Sequence, residues 1–159
     1  MHASLSYMDT SVLRAGLRAG VVAGVLSGAP STAYAAATGR SPFEAVRAAG
    51  TLLLPADRGP AALAAAGALA HCGISLGWGV VLTAVLPRRR AVVWGALAGL
   101  AIAGLDLGLF ARRRPRIRAL PTVPQVADHV AYGALVGTVL SRLSAPRPAR
   151  RARTARRHS

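Results

Sequence analysis

Long apolar blocks separated by short polar segments dominate the pattern of this chain. Each block is rich in Ala, Gly, Leu and Val, and most charged residues lie between the blocks. A helix needs about 20 apolar residues to cross the hydrocarbon core of a bilayer, and the blocks reach that length. We therefore predict an all-α, four-span transmembrane helical bundle, with spans at about residues 12–38, 61–86, 91–111 and 123–143.

A shorter segment between the first two spans predicts one further helix, at residues 42–54. Ser41 is placed to cap this helix, Pro42 suits its first turn, and Glu44 is placed to complete a capping box. The helix is too short and too charged to span a bilayer, so we expect a short interfacial helix on the membrane surface. The alternative is an ordinary loop helix that covers one end of the bundle.

Glycines recur at four-residue spacing within the predicted spans. Seven such pairs occur in the sequence, against roughly two for random placement, and this enrichment is typical of helices whose backbones pack closely in lipid. Residues 1–143 are therefore predicted to form a single bundle held by close backbone contact. The predicted helix-packing residues are Gly16, Gly20, Gly24, Gly28, Gly73, Gly77, Gly95, Gly99, Gly133 and Gly137.

The first apolar block also allows a second interpretation. Pro30 predicts a kink or an end of the helix near the middle of the block. In this interpretation the block is a signal peptide, with Arg14 and Arg18 in its basic region and Ala33-Tyr34-Ala35 as its cleavage site. Residues 1–35 would then be removed from the mature protein. The glycine ladder continues through both parts of the block, which favours a retained helix.

Composition and charge support a membrane location. The chain combines 53% hydrophobic residues and a mean hydropathy of +0.41 with a net charge of +15. All 20 basic residues are Arg; in a four-span topology, twelve fall on the side of the two termini and eight on the other. Because positive residues stay on the cytoplasmic side, we predict a multi-pass protein of the cell (inner) membrane with both termini in the cytoplasm.

The arginine clusters also indicate partners. We expect the lipid bilayer itself and anionic lipid head groups at the Arg clusters, with a second copy of the chain or another membrane protein as alternative partners. Residues 144–159 form an Arg-rich tail without apolar periodicity, which predicts disorder. No nucleic acid is expected as a partner, because the tail lacks the interleaved aromatic residues on which bases stack.

Two ionisable residues within the spans are the main candidates for a functional site. Asp106 shares a helix face with Gly95 and Gly99, and His129 shares one with Gly133 and Gly137. Helices packed through these glycines would bring Asp106 and His129 together as an intramembrane polar pair. Ionisable residues at this depth are costly and mark functional candidates. Possible additional members of a polar site are His71, Asp128 and Ser75.

Three hypotheses account for this polar group. The first is a structural pair that holds two helices in register, in a protein with a structural role or one accessory to transport or envelope homeostasis. The second is a proton or ion relay in a small coupled carrier, and the third is a metal site of a membrane-embedded enzyme that uses both His and both Asp residues. No phosphate-binding loop or dinucleotide-binding motif follows a strand pattern, so we predict no enzymatic activity, catalytic residue, metal or cofactor.

A series of short motifs runs from the second span onward. They are His71-Cys72-Gly73-Ile74-Ser75, Pro87 at the end of a span, Trp94-Gly95 with Ala98-Gly99, Leu120-Pro121, and Asp128-His129 at the start of the last span. In the order of these features, roughly residues 68–142 resemble the YagU-like family of small uncharacterised bacterial inner-membrane proteins. The resemblance implies an inner-membrane bundle without implying an activity or cofactor.

Overall fold

The computed structural model describes the backbone of residues 2–144 and the side chains of residues 10–144. The described residues form helices joined by turns, as predicted. The tail predicted to be disordered lies outside the described residues, apart from Ser144, which ends the last helix. The elements in chain order are α1 (His2–Leu26), α2 (Ala29–Ala37), α3 (Glu44–Gly50), α4 (Pro60–Val85), α5 (Ala91–Leu105), a π-helical turn (Asp106–Phe110), a 3-10 turn (Ala111–Arg113), α6 (Pro115–Arg118) and α7 (Thr122–Ser144).

Three helical segments are long and apolar enough to cross a membrane. They are Thr10–Ala37, Pro60–Val85 and Ala91–Arg113. The helix at the fourth predicted span, α7, is not among them, because Gln125, Asp128 and His129 lower its hydropathy. The chain is therefore an all-α protein with three candidate membrane spans, which indicates a multi-pass membrane protein.

Many large apolar residues lie on the surface of the bundle, and small residues lie where its helices approach most closely. Ala19 and Ala23 are completely buried, whereas Val25 is 76% exposed and Leu69 is 68% exposed. A water-soluble helical protein buries its large side chains, since their removal from water drives folding. So many exposed large apolar side chains, with small residues at the helix contacts, are expected when the surface faces lipid.

Two helix pairs make up most of the bundle. α1 packs against α4, α5 packs against α7, and contacts of α1 and α2 with α7 join the two pairs. We call the end with residues 38–59 and 111–121 the outer end, after the predicted orientation, and the opposite end the inner end. At the inner end, Pro87 follows α4, and Arg88 Nη1 donates to the Thr83 carbonyl oxygen at 3.0 Å.

The α5–α7 contact uses the predicted glycines. A Cβ atom built on Gly95 would overlap the carbonyl oxygen of Gly133, and one on Gly99 would overlap that of His129. A Cβ on Gly137 would likewise overlap the carbonyl oxygen of Ala91. The two backbones therefore approach as closely as the absence of side chains permits.

The α1–α4 contact uses only part of the predicted set. A Cβ on Gly20 would lie 2.6 Å from the Ser75 carbonyl oxygen, and Gly16 and Gly24 also face α4. The predictions for Gly73 and Gly77 are wrong for the described residues, since a Cβ at either would meet no atom within 4 Å.

The reason for this correction is the rotation of α4 about its axis. Its contact stripe runs through Gly67, His71, Ser75 and Gly79, and Gly73 and Gly77 lie on nearly the opposite side. A Cβ on Gly79 would lie 2.6 Å from the Gly20 Cα. Gly28, the last residue of the predicted ladder, also meets no described atom within 4 Å, because the helix is already broken there.

The helix predicted at residues 42–54 is shorter than expected and lies against α4. α3 packs on the first half of α4, where a Cβ on Gly67 would overlap the Val46 carbonyl oxygen. The predicted capping box is not formed, since the Glu44 carboxylate lies 3.7 Å from the Arg40 guanidinium and Ser41 Oγ accepts from the Phe43 N–H. α3 therefore covers the first half of α4.

Candidate functional site

Asp106 and His129 form the polar pair that the sequence predicts. Asp106 Oδ2 lies 3.0 Å from His129 Nε2, and both side chains are partly buried. The pair lies next to the contact between Gly99 and the His129 backbone, on the outer side of the α5–α7 crossing. The glycines bring the backbones together, and the polar pair follows from that approach.

The contacts of His129 determine how many protons the pair holds. Nδ1 lies 2.8 Å from the carbonyl oxygen of Gln125, which only accepts hydrogen bonds, so Nδ1 carries a proton and donates it. One further proton then lies between Nε2 and Asp106 Oδ2. It resides either on the imidazole, giving an imidazolium and a carboxylate, or on the carboxyl group, giving two neutral groups. The pair has zero net charge in both arrangements, which lowers the cost of placing it in lipid.

The π-helical turn begins at the paired carboxylate. The Ala111 N–H bonds to the Asp106 carbonyl oxygen, one residue further back than in a regular helix. The sequence predicted an uninterrupted helix over residues 91–111, so this turn is a correction. Gly108 lies inside this turn, and its low helix propensity makes a regular α-helix less stable at this point. Such turns change the direction of the following side chains and are common at functional sites.

Asp128 makes a different contact, at a break between α1 and α2. Its Oδ1 accepts a hydrogen bond of 2.9 Å from the Ser31 backbone N–H. Ser31 lies in the first turn of α2, where N–H groups lack partners within the helix, and the N-cap residue Gly28 has no side chain to supply one. Asp128 therefore caps α2 from α7, and its negative charge suits the positive end of the helix dipole.

His71 contacts the other side of the same break. Its Nε2 lies 2.8 Å from the carbonyl oxygen of Gly24, in the last turn of α1, where carbonyl groups lack partners within the helix. Because a carbonyl only accepts, Nε2 carries a proton and donates it. Side chains from α4 and α7 thus satisfy both ends of the break, which is the interruption predicted from Pro30.

Ser75 takes part through its backbone. The Tyr132 hydroxyl donates to the Ser75 carbonyl oxygen and joins α7 to α4. Residues 73–77 also match the GxSxG pattern of hydrolases, which requires a turn between a strand and a helix. These residues lie inside α4. The neighbouring His71 Nε2 already donates to Gly24, so it is not a base for Ser75.

Three residues at these contacts are absent from the sequence predictions: Gly24 as a polar partner, Ser31 and Tyr132. Tyr132 follows His129 by three positions and lies on nearly the same helix face. Helical spacing could therefore have identified Tyr132 as a further polar contact of α7. Gly24 and Ser31 contribute only backbone groups, which no side-chain pattern reveals.

The candidate residues form two sites rather than one. An open cavity of about 380 Å³ lies at the outer end, with Asp128 and His71 in its lining. Asp106 and His129 pair outside this lining. Within residues 10–144, no group of three or more His, Cys, Asp and Glu side chains is placed to hold a metal ion. The four-residue metal site of the third hypothesis is therefore not assembled in the described part of the chain.

Comparisons with protein-family models, curated proteins and solved structures gave no match. The resemblance of residues 68–142 to the YagU-like family therefore stays a prediction.

Proposed function

We propose that the protein is a four-span inner-membrane protein without enzymatic activity, with a structural role or one accessory to transport or envelope homeostasis. The observation that carries the proposal is the contact of 3.0 Å between Asp106 Oδ2 and His129 Nε2. It is one fixed hydrogen bond beside a glycine contact that would otherwise let α5 and α7 slide along each other. The pair acts as a polar lock on the register of the two helices.

The contacts of α7 support its assignment as the fourth span. Its polar residues are satisfied by other helices, with Asp128 bonded to Ser31, His129 to Asp106, and Tyr132 to Ser75. Its 23 residues span about 35 Å, slightly more than the hydrocarbon core. Hydrogen bonds to neighbouring helices therefore compensate for the low hydropathy of α7, as in membrane bundles whose polar side chains bond across helices.

The orientation and the lipid partners belong to the same proposal. A four-span topology assigns twelve arginines of the sequence to the inner side and eight to the outer side, which supports a cytoplasmic location of both termini. At the outer end, Arg114 Nη1 donates to the Thr51 carbonyl oxygen at 2.6 Å and holds this region against α3. The exposed Arg113, Arg116 and Arg118 beside it are assigned to anionic lipid head groups.

A double-mutant cycle tests the lock. Asp106→Leu and His129→Leu each leave one polar group without its partner, and we expect each to lower the free energy of unfolding in detergent by about 1–3 kcal/mol. The double variant should lose much less than the sum, because no unpaired group remains, with a coupling energy of about 1–2 kcal/mol. Asp106→Asn should cost less than Asp106→Leu, since its amide N–H can donate to Nε2. Additive losses in the cycle would contradict the lock.

The alternative function is a small proton- or ion-coupled carrier. Two observations favour it, the contact between the ionisable side chains of Asp106 and His129 and the open cavity at the helix break. Under the lock hypothesis we expect liposomes that contain the purified protein to show no more proton flux under a pH gradient than protein-free liposomes. A flux that Asp106→Asn abolishes without changing stability would contradict the lock and establish the carrier.

A further inference from the structure

The outer cavity lies where four helices meet the break in the first apolar segment. Residues of α2, α3, α4 and α7 line it, and its volume is about 380 Å³. This volume falls in the range of small-molecule binding sites, about 300–1,000 Å³. The Asp106 and His129 side chains lie outside this lining, although Gln125, whose carbonyl oxygen bonds to His129, belongs to it.

The walls of the cavity are largely apolar. Ala35, Ala45, Val46, Ala68, Leu120 and Pro124 contribute to them. A ligand for such walls needs an apolar body, because an apolar surface gains little from a fully hydrated ion. The small side chains leave room for a flat or branched hydrocarbon group.

The lining of the cavity holds one carboxylate that pairs with no Arg of the described residues. Glu44 and Arg40 lie 3.7 Å apart and offset each other, and both are exposed. Asp128 is half-buried and bonds to Ser31, and the imidazoles of His129 and His71 lie near enough to interact with its charge. His71 donates its Nε2 proton to the Gly24 carbonyl oxygen. Asp128 is thus the group of this lining to which a cation is attracted.

We propose that the cavity binds a small organic cation, with an ammonium group at Asp128 and an apolar body between α2, α3, α4 and α7. The ammonium group forms a charge-assisted hydrogen bond with the carboxylate, and the body displaces water from the apolar walls. This inference goes beyond the lock, since it concerns different residues and requires no transport. Asp128 also caps α2, so a bound ammonium group would share the carboxylate that accepts the hydrogen bond from the Ser31 N–H.

Equilibrium dialysis of the purified protein in nonionic detergent tests the proposal. The probe is phenylethylammonium, with phenylethanol and phenylacetate as the neutral and anionic analogues of similar shape, and protein-free micelles as the blank. We expect binding of the ammonium compound in preference to both analogues. Asp128→Asn keeps an acceptor oxygen for the Ser31 N–H but removes the charge. It should weaken binding about tenfold to a hundredfold, as loss of a charge-assisted contact implies.

Two further variants keep the test decisive. Asp57→Asn removes an exposed carboxylate outside the cavity lining and should leave binding unchanged. Ala68→Phe fills the cavity while keeping Asp128, so it should abolish binding even if Asp128→Asn proves too unstable to purify. Three results would each overturn the proposal. They are equal binding of phenylethanol or phenylacetate, unchanged binding in Asp128→Asn or Ala68→Phe, and the absence of binding to the unmodified protein. Failure of this test would leave the Asp106–His129 cycle unaffected.

Discussion

Gly99→Leu is expected to force α5 and α7 apart. A Cβ atom at Gly99 would already overlap the carbonyl oxygen of His129, and backbone cannot move aside as a flexible side chain can. Separation of the two helices also breaks the nearby contact between Asp106 and His129. Overpacking and the lost hydrogen bond together predict a loss of about 2–5 kcal/mol in the free energy of unfolding.

Gly104→Leu is the matched control for this change. Gly104 lies on the same helix, but a Cβ at this position would meet no described atom within 4 Å. Leu is also a better helix former than Gly by about 1 kcal/mol, so the control should be neutral or slightly stabilising. Reversible unfolding in mixed micelles measures both variants. Equal destabilisation by the two substitutions would show that close backbone approach does not hold α5 to α7.

Leu100→Arg is expected to impair membrane insertion of α5. Leu100 is 51% exposed and lies nine positions after Ala91, the inner end of α5. This places it about 14 Å along the helix, near the centre of the bilayer. Arg at the centre of a membrane helix costs about 3 kcal/mol more than Leu, so we expect the fraction of inserted chain to fall.

The same substitution separates a membrane protein from a soluble one. On a water-exposed surface, Leu→Arg changes stability by about 0.5 kcal/mol or less. Leu53→Arg is the control, because Leu53 is 53% exposed but lies between α3 and α4 at the outer end. Quantification of each variant in the membrane fraction provides the measurement. Full tolerance of Arg at position 100 would contradict a lipid-facing surface there.

The sequence predicted the features that depend on long-range periodicity. The apolar blocks at 61–86 and 123–143 correspond closely to α4 and α7, because block length and helix length are set by the same residues. The shared faces of Asp106 with Gly99 and of His129 with Gly133 were enough to predict the polar pair. Small residues determine which faces approach, and an ionisable residue on such a face must find its partner there.

Local departures from regular helix were outside the reach of these patterns. The π-helical turn at Asp106–Phe110 inserts one residue into an otherwise regular apolar run, and no change of composition marks it. Gly73 and Gly77 have the same four-residue spacing as Gly95 and Gly99 but face away from the other described helices. Spacing identifies a face that permits close packing, but only the rotation of the whole helix determines whether a partner occupies it.

Labelling of single cysteines tests most directly whether the helices cross the membrane as proposed. In a Cys72→Ala background, which removes the only native cysteine, Arg89→Cys, Ala119→Cys and Ser144→Cys mark the turn after α4, the segment before α7 and the end of α7. In sealed right-side-out vesicles, we expect a membrane-impermeant maleimide to label position 119 alone, and all three positions once detergent is added. Labelling of position 119 together with 89 or 144 before detergent would mean that α5 or α7 does not cross, and would contradict the four-span bundle.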